Sequence, residues 1–271
     1  MAIIIEFIGL SGSGKSALAC KAVQHLKANG LDVICRGNAL LYRYFRKKPP
    51  EYSGIKWFIL KLLFRCVPHF LGKHLVDTFY FFSLVNLVCR FEARNPELAV
   101  MVHKDIASNY HSDRGRQWAL TMVYREFAVY QVVHELQGLI DADSVIVLDD
   151  GRDRIPRFVN ALGDVESVDK TISYIEQFPL PDLVIHIDTE QSICRQRLAT
   201  RRISGYSPLQ LRPLSLQTRV ETWENCQRCT VITYEMLKSK NIPVLKVSNN
   251  ADLNTTVQLI NECLDKFLDN K

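Results

Sequence analysis

The sequence predicts an α/β fold, in which one parallel five-stranded sheet is flanked by helices. Five short apolar runs alternate with segments of helical periodicity, which is the pattern of successive β-α-β units. The first run ends in a glycine-rich turn that leads directly into a helix. The chain has 271 residues, of which 47% are hydrophobic and 23% charged, so it is long enough for one large globular domain with an insertion.

The turn after the first run carries the clearest functional signal. Ile3–Ile8 leads into Gly9-Leu10-Ser11-Gly12-Ser13-Gly14-Lys15-Ser16, the Gly-x4-Gly-Lys-Ser pattern of a P-loop between a buried strand and a helix. The glycines would let backbone N–H groups approach phosphate oxygens; Lys15 would contact the β- and γ-phosphates and Ser16 would bind Mg²⁺. We therefore predict an ATP–Mg²⁺ site formed by the loop and one residue after the fifth strand: Gly9, Ser11, Gly12, Ser13, Gly14, Lys15, Ser16, Ala17 and Asn249.

A helix at 16–28 and a second strand at 31–35 follow, and from residue 38 to 116 the alternation stops. We predict a helical insertion there that holds the phosphate acceptor. Two aromatic, apolar runs at 55–71 and 75–92 contain charged residues, so neither predicts a transmembrane helix. They fit either a buried helical pair or an interfacial acceptor surface. Polar residues at 104–116 predict an exposed loop.

The second half of the chain returns to the α/β pattern. Residues 117–140 predict a long helix, and 144–148 predict a third, fully buried strand that delivers Asp149 and Asp150 at its carboxyl end. We predict that both carboxylates are catalytic and that Asp149 also orients Mg²⁺ or accepts a proton from the attacking hydroxyl. The last two strands are predicted at 183–187 and 243–247, and the remaining helices at 189–202, 216–240 and 253–268.

Arginines supply the other predicted site charges. Arg197 and Arg201 are four residues apart and share a helix face, within a predicted lid at 195–215 that would close over the transferring phosphoryl group. The residues predicted to bind the acceptor are Arg36, Arg43, Arg46 and Arg152.

These motifs together resemble the P-loop nucleoside and nucleotide kinases, and most closely the thymidylate-kinase-like branch. The resemblance implies the P-loop NTPase fold with strand order 2-3-1-4-5, an ATP–Mg²⁺ donor site and an arginine-bearing lid after the fourth strand. Arg36 is followed by Gly37-Asn38-Ala39, where thymidylate kinases have Glu-Pro-Gly-Gly, so the acceptor is left open. The motifs that carry the resemblance are Gly9–Ser16, Cys35-Arg36-Gly37, Asp149-Asp150-Gly151, and Pro181–Asp188 with Arg197 and Arg201.

We expect a cytoplasmic kinase that transfers the γ-phosphoryl group of ATP to a hydroxyl or phosphate of a small molecule. Two alternatives remain: a kinase of a lipid or lipid-linked acceptor at a membrane surface, and a nucleotide-dependent ATPase or switch with a protein partner. The net charge of +5 is too diffuse to predict nucleic-acid binding. Eight scattered cysteines and the absence of a signal peptide indicate a reducing compartment. Peripheral membrane contact and a homodimer are left open.

Overall fold

The computed structural model describes residues 1–35, 38–48, 84–141, 143–149, 152, 154–159, 168–203, 216–250 and 253–271. They contain a five-stranded sheet in the order β2-β3-β1-β4-β5, in which every neighbouring pair is parallel. The predicted α/β class, the parallel sheet and the order 2-3-1-4-5 are therefore confirmed. The strands are β1 (Ile3–Gly9), β2 (Val33–Cys35), β3 (Val145–Leu148), β4 (Leu183–Asp188) and β5 (Val244–Ser248).

Helices connect the strands and cover both faces of the sheet. Within the part of the chain that the structure describes, no helix is long and apolar enough to cross a membrane. The helices are α1 (Lys15–Ala28), α2 (Asn38–Lys47), α3 (84–94), α4 (Pro96–Asn109), α5 (Asp113–Gln137), α6 (Arg154–Val159), α7 (Val168–Glu176), α8 (Gln191–Ile203), α9 (Leu216–Ser239) and α10 (Leu253–Asp269).

β1 is the central strand, and its side chains enter the hydrophobic core on both faces of the sheet. Ile4 belongs to one buried cluster with Phe127 of α5, whereas Ile5 belongs to a second cluster with Leu18 of α1. Because both faces are covered, the strand reads as a continuous apolar run rather than as an alternation. This position brings the glycine-rich turn to the middle of the sheet's carboxyl edge.

The described part of the predicted insertion packs into the same core as the sheet. Leu40 and Phe45 of α2, Phe91 of α3 and Leu98 of α4 are buried in one cluster with Ile4. The Phe91 ring stacks on Phe127 with the ring centroids 4.4 Å apart. Of the two aromatic runs, the structure describes only 84–92, and this part belongs to α3, which packs into the same cluster. Residues 49–83, which hold the first aromatic run and the start of the second, lie outside the described residues.

The prediction of an exposed loop at 104–116 was wrong. α4 continues to Asn109 and α5 begins at Asp113, so only residues 110–112 connect them. Ser112 starts α5 as its N-cap, because its side chain accepts a hydrogen bond from the Gly115 N–H at 3.1 Å. The polar residues that predicted a loop belong largely to exposed helix faces. The predicted insertion boundary at residue 116 consequently falls inside α5.

Candidate functional site

The glycine-rich loop, residues 9–16, follows β1 and requires glycine at three positions. Gly9, Gly12 and Gly14 have φ angles of +145°, +87° and +95°, a region that residues with side chains rarely adopt. A Cβ atom on Gly9 would lie 2.6 Å from the Ile187 carbonyl oxygen, and one on Gly12 would lie 2.5 Å from the Cys194 carbonyl oxygen. The loop is therefore packed tightly against β4 and α8, which leaves no room for a side chain.

The loop ends at the amino terminus of α1, where backbone donors are not used within the helix. Gly14 is the N-cap and offers no side-chain hydrogen bond, and the Leu18 N–H bonds to the Gly14 carbonyl at 3.0 Å. The helix itself consequently supplies no acceptor for the N–H groups of Lys15, Ser16 and Ala17. The first turn carries no acidic side chain, and the helix dipole is positive at this end. This arrangement is suited to an anion such as phosphate.

Lys15 lies inside the loop rather than on the protein surface. Its ammonium group donates to the Gly9 carbonyl at 2.8 Å and to the Leu10 carbonyl at 3.1 Å, and the residue is only 6% exposed. Ser16 is exposed in the first turn of α1, whereas Ser13 is fully buried. Within the described residues, the Ser13 hydroxyl has no hydrogen-bond partner. A cation and a buried hydroxyl thus lie in a loop that already presents backbone donors.

The Ser13 carbonyl joins the loop to two other strand ends. It accepts hydrogen bonds from Thr189 Oγ1 at 3.1 Å, Arg197 Nη1 at 3.2 Å and Asn249 Nδ2 at 2.7 Å. Arg197 also donates to the Asn249 carbonyl at 3.0 Å. The structure thus brings the predicted residues Arg197 and Asn249 to the loop, where both bind its backbone. Arg201 lies two residues before the end of α8, and its side chain is outside the described part.

The predicted acidic pair follows β3, beside the loop on the next strand of the sheet. Asp149 is half-buried directly after Leu148, while Asp150 and Gly151 are outside the described residues. No group of three His, Cys, Asp or Glu side chains in the described ranges could hold a metal ion by itself. A Mg²⁺ ion bound by Ser16 and Asp149 would therefore need further oxygen ligands from the nucleotide and from water.

Arg152, which was predicted to bind the acceptor, is fully buried against the central strand. Its Nε and Nη2 atoms donate to Glu6 Oε2 at 3.1 Å and 2.9 Å, and Nη2 also donates to the Pro179 carbonyl at 2.6 Å. Tyr130 donates its hydroxyl to the other Glu6 oxygen at 3.1 Å. Both members of the Glu6–Arg152 pair are 0% exposed. These contacts direct the arginine into the protein, so we do not include Arg152 in the acceptor site.

Two further predicted acceptor residues lie away from the loop. Arg43 pairs with Asp32, which directly precedes β2 and therefore lies at the amino edge of the sheet. Arg46 is exposed in the last turn of the same helix, α2. Because α2 runs back along β2, its second half points away from the carboxyl edge where the glycine-rich loop lies. Arg43 and Arg46 therefore lie away from the glycine-rich loop, and Arg36 is outside the described residues.

Comparison with known proteins finds no family model that matches the chain and no curated protein that matches it.

Sequence reasoning missed two residues that shape the site. Thr189 donates a hydrogen bond to the Ser13 carbonyl, and its position two residues after the end of a predicted strand was the available signal. Glu6 is the one charged residue in the run Ile3–Ile8, and a charge inside a buried strand indicates a buried partner. The identity of that partner, Arg152, is not visible in the sequence because 146 positions separate the two residues.

The electrostatic environment beside the loop favours an anion. The pKa of His186 is lowered to about 4, chiefly by burial. The nearby Asp188 carboxylate acts to raise this pKa, whereas the positive charges of Lys246 and Lys15 act to lower it. His186 is therefore neutral at neutral pH. Asp188 is paired with Lys246 at 2.9 Å, and this hydrogen bond raises the pKa of the Lys246 ammonium. Lys15, Arg197 and the helix dipole thus supply positive charge directly at the loop.

Proposed function

We propose that the chain is an ATP-dependent kinase that transfers the γ-phosphoryl group of ATP to a hydroxyl or phosphate of a small molecule. The observation that carries this proposal is the loop between β1 and α1. It combines three glycines with positive φ angles, a buried lysine and a first helical turn without side-chain caps. In a parallel sheet of order 2-3-1-4-5, this loop lies where open α/β folds bind their ligands.

The residues of the loop have distinct roles in this proposal. The N–H groups at the start of α1 bind phosphate oxygens, and Lys15 leaves the Gly9 and Leu10 carbonyls to contact the β- and γ-phosphates. Ser16 and Asp149 would hold Mg²⁺, which supplies charge neutralisation for the phosphoryl group when bound. Gly9, Gly12 and Gly14 are needed for this loop conformation, since a Cβ atom at any of the three would meet another protein atom within 2.6 Å.

Arg197 has a different role from the one that the sequence predicted. Its guanidinium binds the carbonyls of Ser13 and Asn249, so in our proposal it holds the loop in its phosphate-binding shape. In this proposal Arg201 is the arginine of the lid that would approach the phosphoryl group during its transfer. Asp149 accepts the proton of the attacking hydroxyl or orients the metal, and Asp150 assists it.

The proposal is tested by a screen of small-molecule acceptors with ATP and Mg²⁺, in which the release of ADP is measured. Lys15→Ala should reduce turnover by several powers of ten, because the transition state loses its charge-assisted contacts. Lys21→Ala is the matched control, since Lys21 is an exposed lysine of the same helix. Circular dichroism should show that both variants are folded.

Two results would contradict the kinase proposal. Turnover near the wild-type rate in a folded Lys15→Ala protein would exclude the loop as the donor site. ADP release that is independent of every acceptor, and lost in Lys15→Ala, would instead support the nucleotide-dependent ATPase or switch. Acceptors in the screen should include lipids, because a lipid-linked acceptor remains the second form of the kinase interpretation.

A further inference from the structure

A second charged site lies on the opposite edge of the sheet from the glycine-rich loop. It is an open groove of about 760 Å³ between α2, α3 and α5. We call it the basic groove, because among the residues that the structure describes four cationic side chains line it against one carboxylate, that of Glu135. The four cationic residues are Lys47, Lys48, Arg90 and Arg94.

Glu135 organises one side of the basic groove. Its carboxylate is bound by Lys48 at 2.6 Å and by Arg90 at 3.0 Å, and Tyr44 donates its hydroxyl at 2.9 Å. Burial opposes the ionisation of Glu135, but these hydrogen bonds, with one from Gln131, outweigh it and lower the pKa of the carboxyl group. The Glu135 carboxylate is thus neutralised by its own neighbours.

The remaining charges of the groove are positive and face solvent. Lys47 and Arg94 are both exposed, and neither forms an ion pair with another residue in the described ranges. Burial lowers the pKa of His134, and the nearby guanidinium of Arg94 lowers it further, although Glu135 acts in the opposite direction. A protonated His134 is therefore disfavoured in a field that is already positive. The groove as a whole is electrostatically complementary to an anion.

The position of the groove follows from the direction of the strands. Arg43 pairs with Asp32 just before β2, and Lys47 lies one helical turn further along α2. Glu135 is near the end of α5, shortly before β3 begins at Val145. Both helices therefore carry the groove to the amino edge of the parallel sheet. A ligand bound there would leave the glycine-rich loop, at the carboxyl edge, accessible.

Residues 49–83, which lie between Lys48 and Leu84 in the sequence, have an unusual composition. Lys48 borders the groove at one end of residues 49–83, and Leu84 starts the helix that supplies Arg90 and Arg94. These 35 residues contain nine of the 26 Trp, Tyr and Phe residues of the chain, together with Lys56, Lys61, Arg65 and Lys73. Aromatic residues mixed with cations are the composition that proteins use at the interface of a membrane.

We propose that the basic groove docks the protein on a membrane surface that carries anionic phospholipids. The lipid phosphates are bound by the exposed cations Lys47 and Arg94 and by the outer donors of Lys48 and Arg90. The sequence of 49–83 favours a membrane over a soluble phosphate, which would need no apolar residues. It favours a membrane over a nucleic acid because many of its apolar residues are aliphatic, whereas nucleic-acid bases stack on aromatic rings. The inference does not depend on the proposed kinase function.

Co-sedimentation with vesicles tests this proposal on the full chain. Vesicles of phosphatidylcholine with about 30 mol% phosphatidylserine should pellet the protein, while phosphatidylcholine alone should not. Binding should weaken as the salt concentration rises. The double substitution Lys47→Glu and Arg94→Glu should reduce partitioning at least about 25-fold, taking roughly five-fold for each cation lost.

The matched control is Lys104→Glu with Arg125→Glu. Both residues are exposed cations outside the groove, and the pair changes the net charge by the same amount. The control should bind anionic vesicles nearly as well as the wild type, and both variants should unfold at wild-type temperatures.

Three results would overturn the proposal. The first is equal pelleting with neutral and anionic vesicles, and the second is an equal loss of binding in the groove and control variants. The third is groove-dependent binding of inorganic phosphate, or of a single-stranded oligonucleotide, that is tighter than binding to the anionic vesicles.

Discussion

A single methyl group at Gly12 would meet the Cys194 carbonyl oxygen at 2.5 Å. One substitution can therefore test whether the shape of the glycine-rich loop matters for nucleotide binding. Gly12→Ala should deform the glycine-rich loop and weaken the binding of a fluorescent ATP analogue at least tenfold. Gly30→Ala is the matched control, because Gly30 has a similar φ of +83° but a Cβ atom added there would meet no other atom within 4 Å. Both variants bear a conformational cost of about 1–2 kcal/mol for the positive φ, so the difference between them reports the contact with the Cys194 carbonyl. Equal binding by the two would mean that α8 does not constrain the loop.

The buried His186 predicts how stability depends on pH. Burial lowers its pKa to about 4 in the folded protein, whereas the ordinary value of 6.5 applies to the unfolded chain. Between these values the unfolded state binds the proton more readily, so stability falls as the pH drops from 6.5 towards 4. The contribution should be absent above pH 6.5 and should reach about 3 kcal/mol near pH 4. Urea unfolding across this range measures it.

His186→Gln should remove this part of the pH dependence, because glutamine does not titrate. His111→Gln is the control, since His111 is exposed, and its unfolding free energy should follow the wild type at every pH. If His186→Gln loses as much stability as the wild type between pH 6.5 and 4, the histidine is already protonated in the folded protein and the assignment is wrong.

At the level of elements, the Glu6–Arg152 pair joins the central strand to the turn after β3. A buried pair is costly to break, because one charge is left in the core without its partner. Glu6→Leu should therefore destabilise the protein by about 3–5 kcal/mol in urea unfolding. The double variant Glu6→Leu with Arg152→Met should recover most of this loss, since apolar residues of similar volume can replace a buried ion pair.

An exposed ion pair gives the reference for this measurement. Lys240 and Glu176 are 2.9 Å apart, with side chains that are 36% and 42% exposed. Lys240→Ala should change the unfolding free energy by less than about 1 kcal/mol, because water and salt screen such pairs. A Glu6→Leu variant that is no less stable than Lys240→Ala would show that the buried pair does not hold β1 to this turn.

The elements themselves were largely predictable from the sequence. All five strands lie within a few residues of their predicted positions, because a strand buried on both faces is a short apolar run between turns. The prediction was wrong at 104–116, where composition cannot distinguish a polar loop from the exposed face of two helices. The N-cap Ser112, with Asp113 in the first turn, was the signal that could have been used.

Of the candidate site, the sequence predicted the local motif but not the contacts between residues that are far apart in the sequence. The glycine-rich loop is a local motif, so its residues follow from spacing alone. The partners of Arg152 and Arg43, by contrast, depend on how the helices are placed and oriented over the strands. That information resides in the three-dimensional arrangement, and therefore both arginines were predicted at the acceptor site, whereas the structure pairs them with Glu6 and Asp32.

At the scale of the whole molecule, the strand order has a consequence for how the chain is made. β1 is synthesised before both of its partners in the sheet, β3 and β4, and β4 ends at Asp188. At about 5–20 residues per second, roughly ten to forty seconds pass before both edges of β1 can pair. An apolar strand that stays unpaired for this time is prone to associate with other chains.

Glu6 lies in the middle of β1, and its charge has no Arg152 to neutralise it until the chain reaches that residue. In the nascent chain the carboxylate would act as a gatekeeper, keeping the first strand soluble until its neighbours emerge.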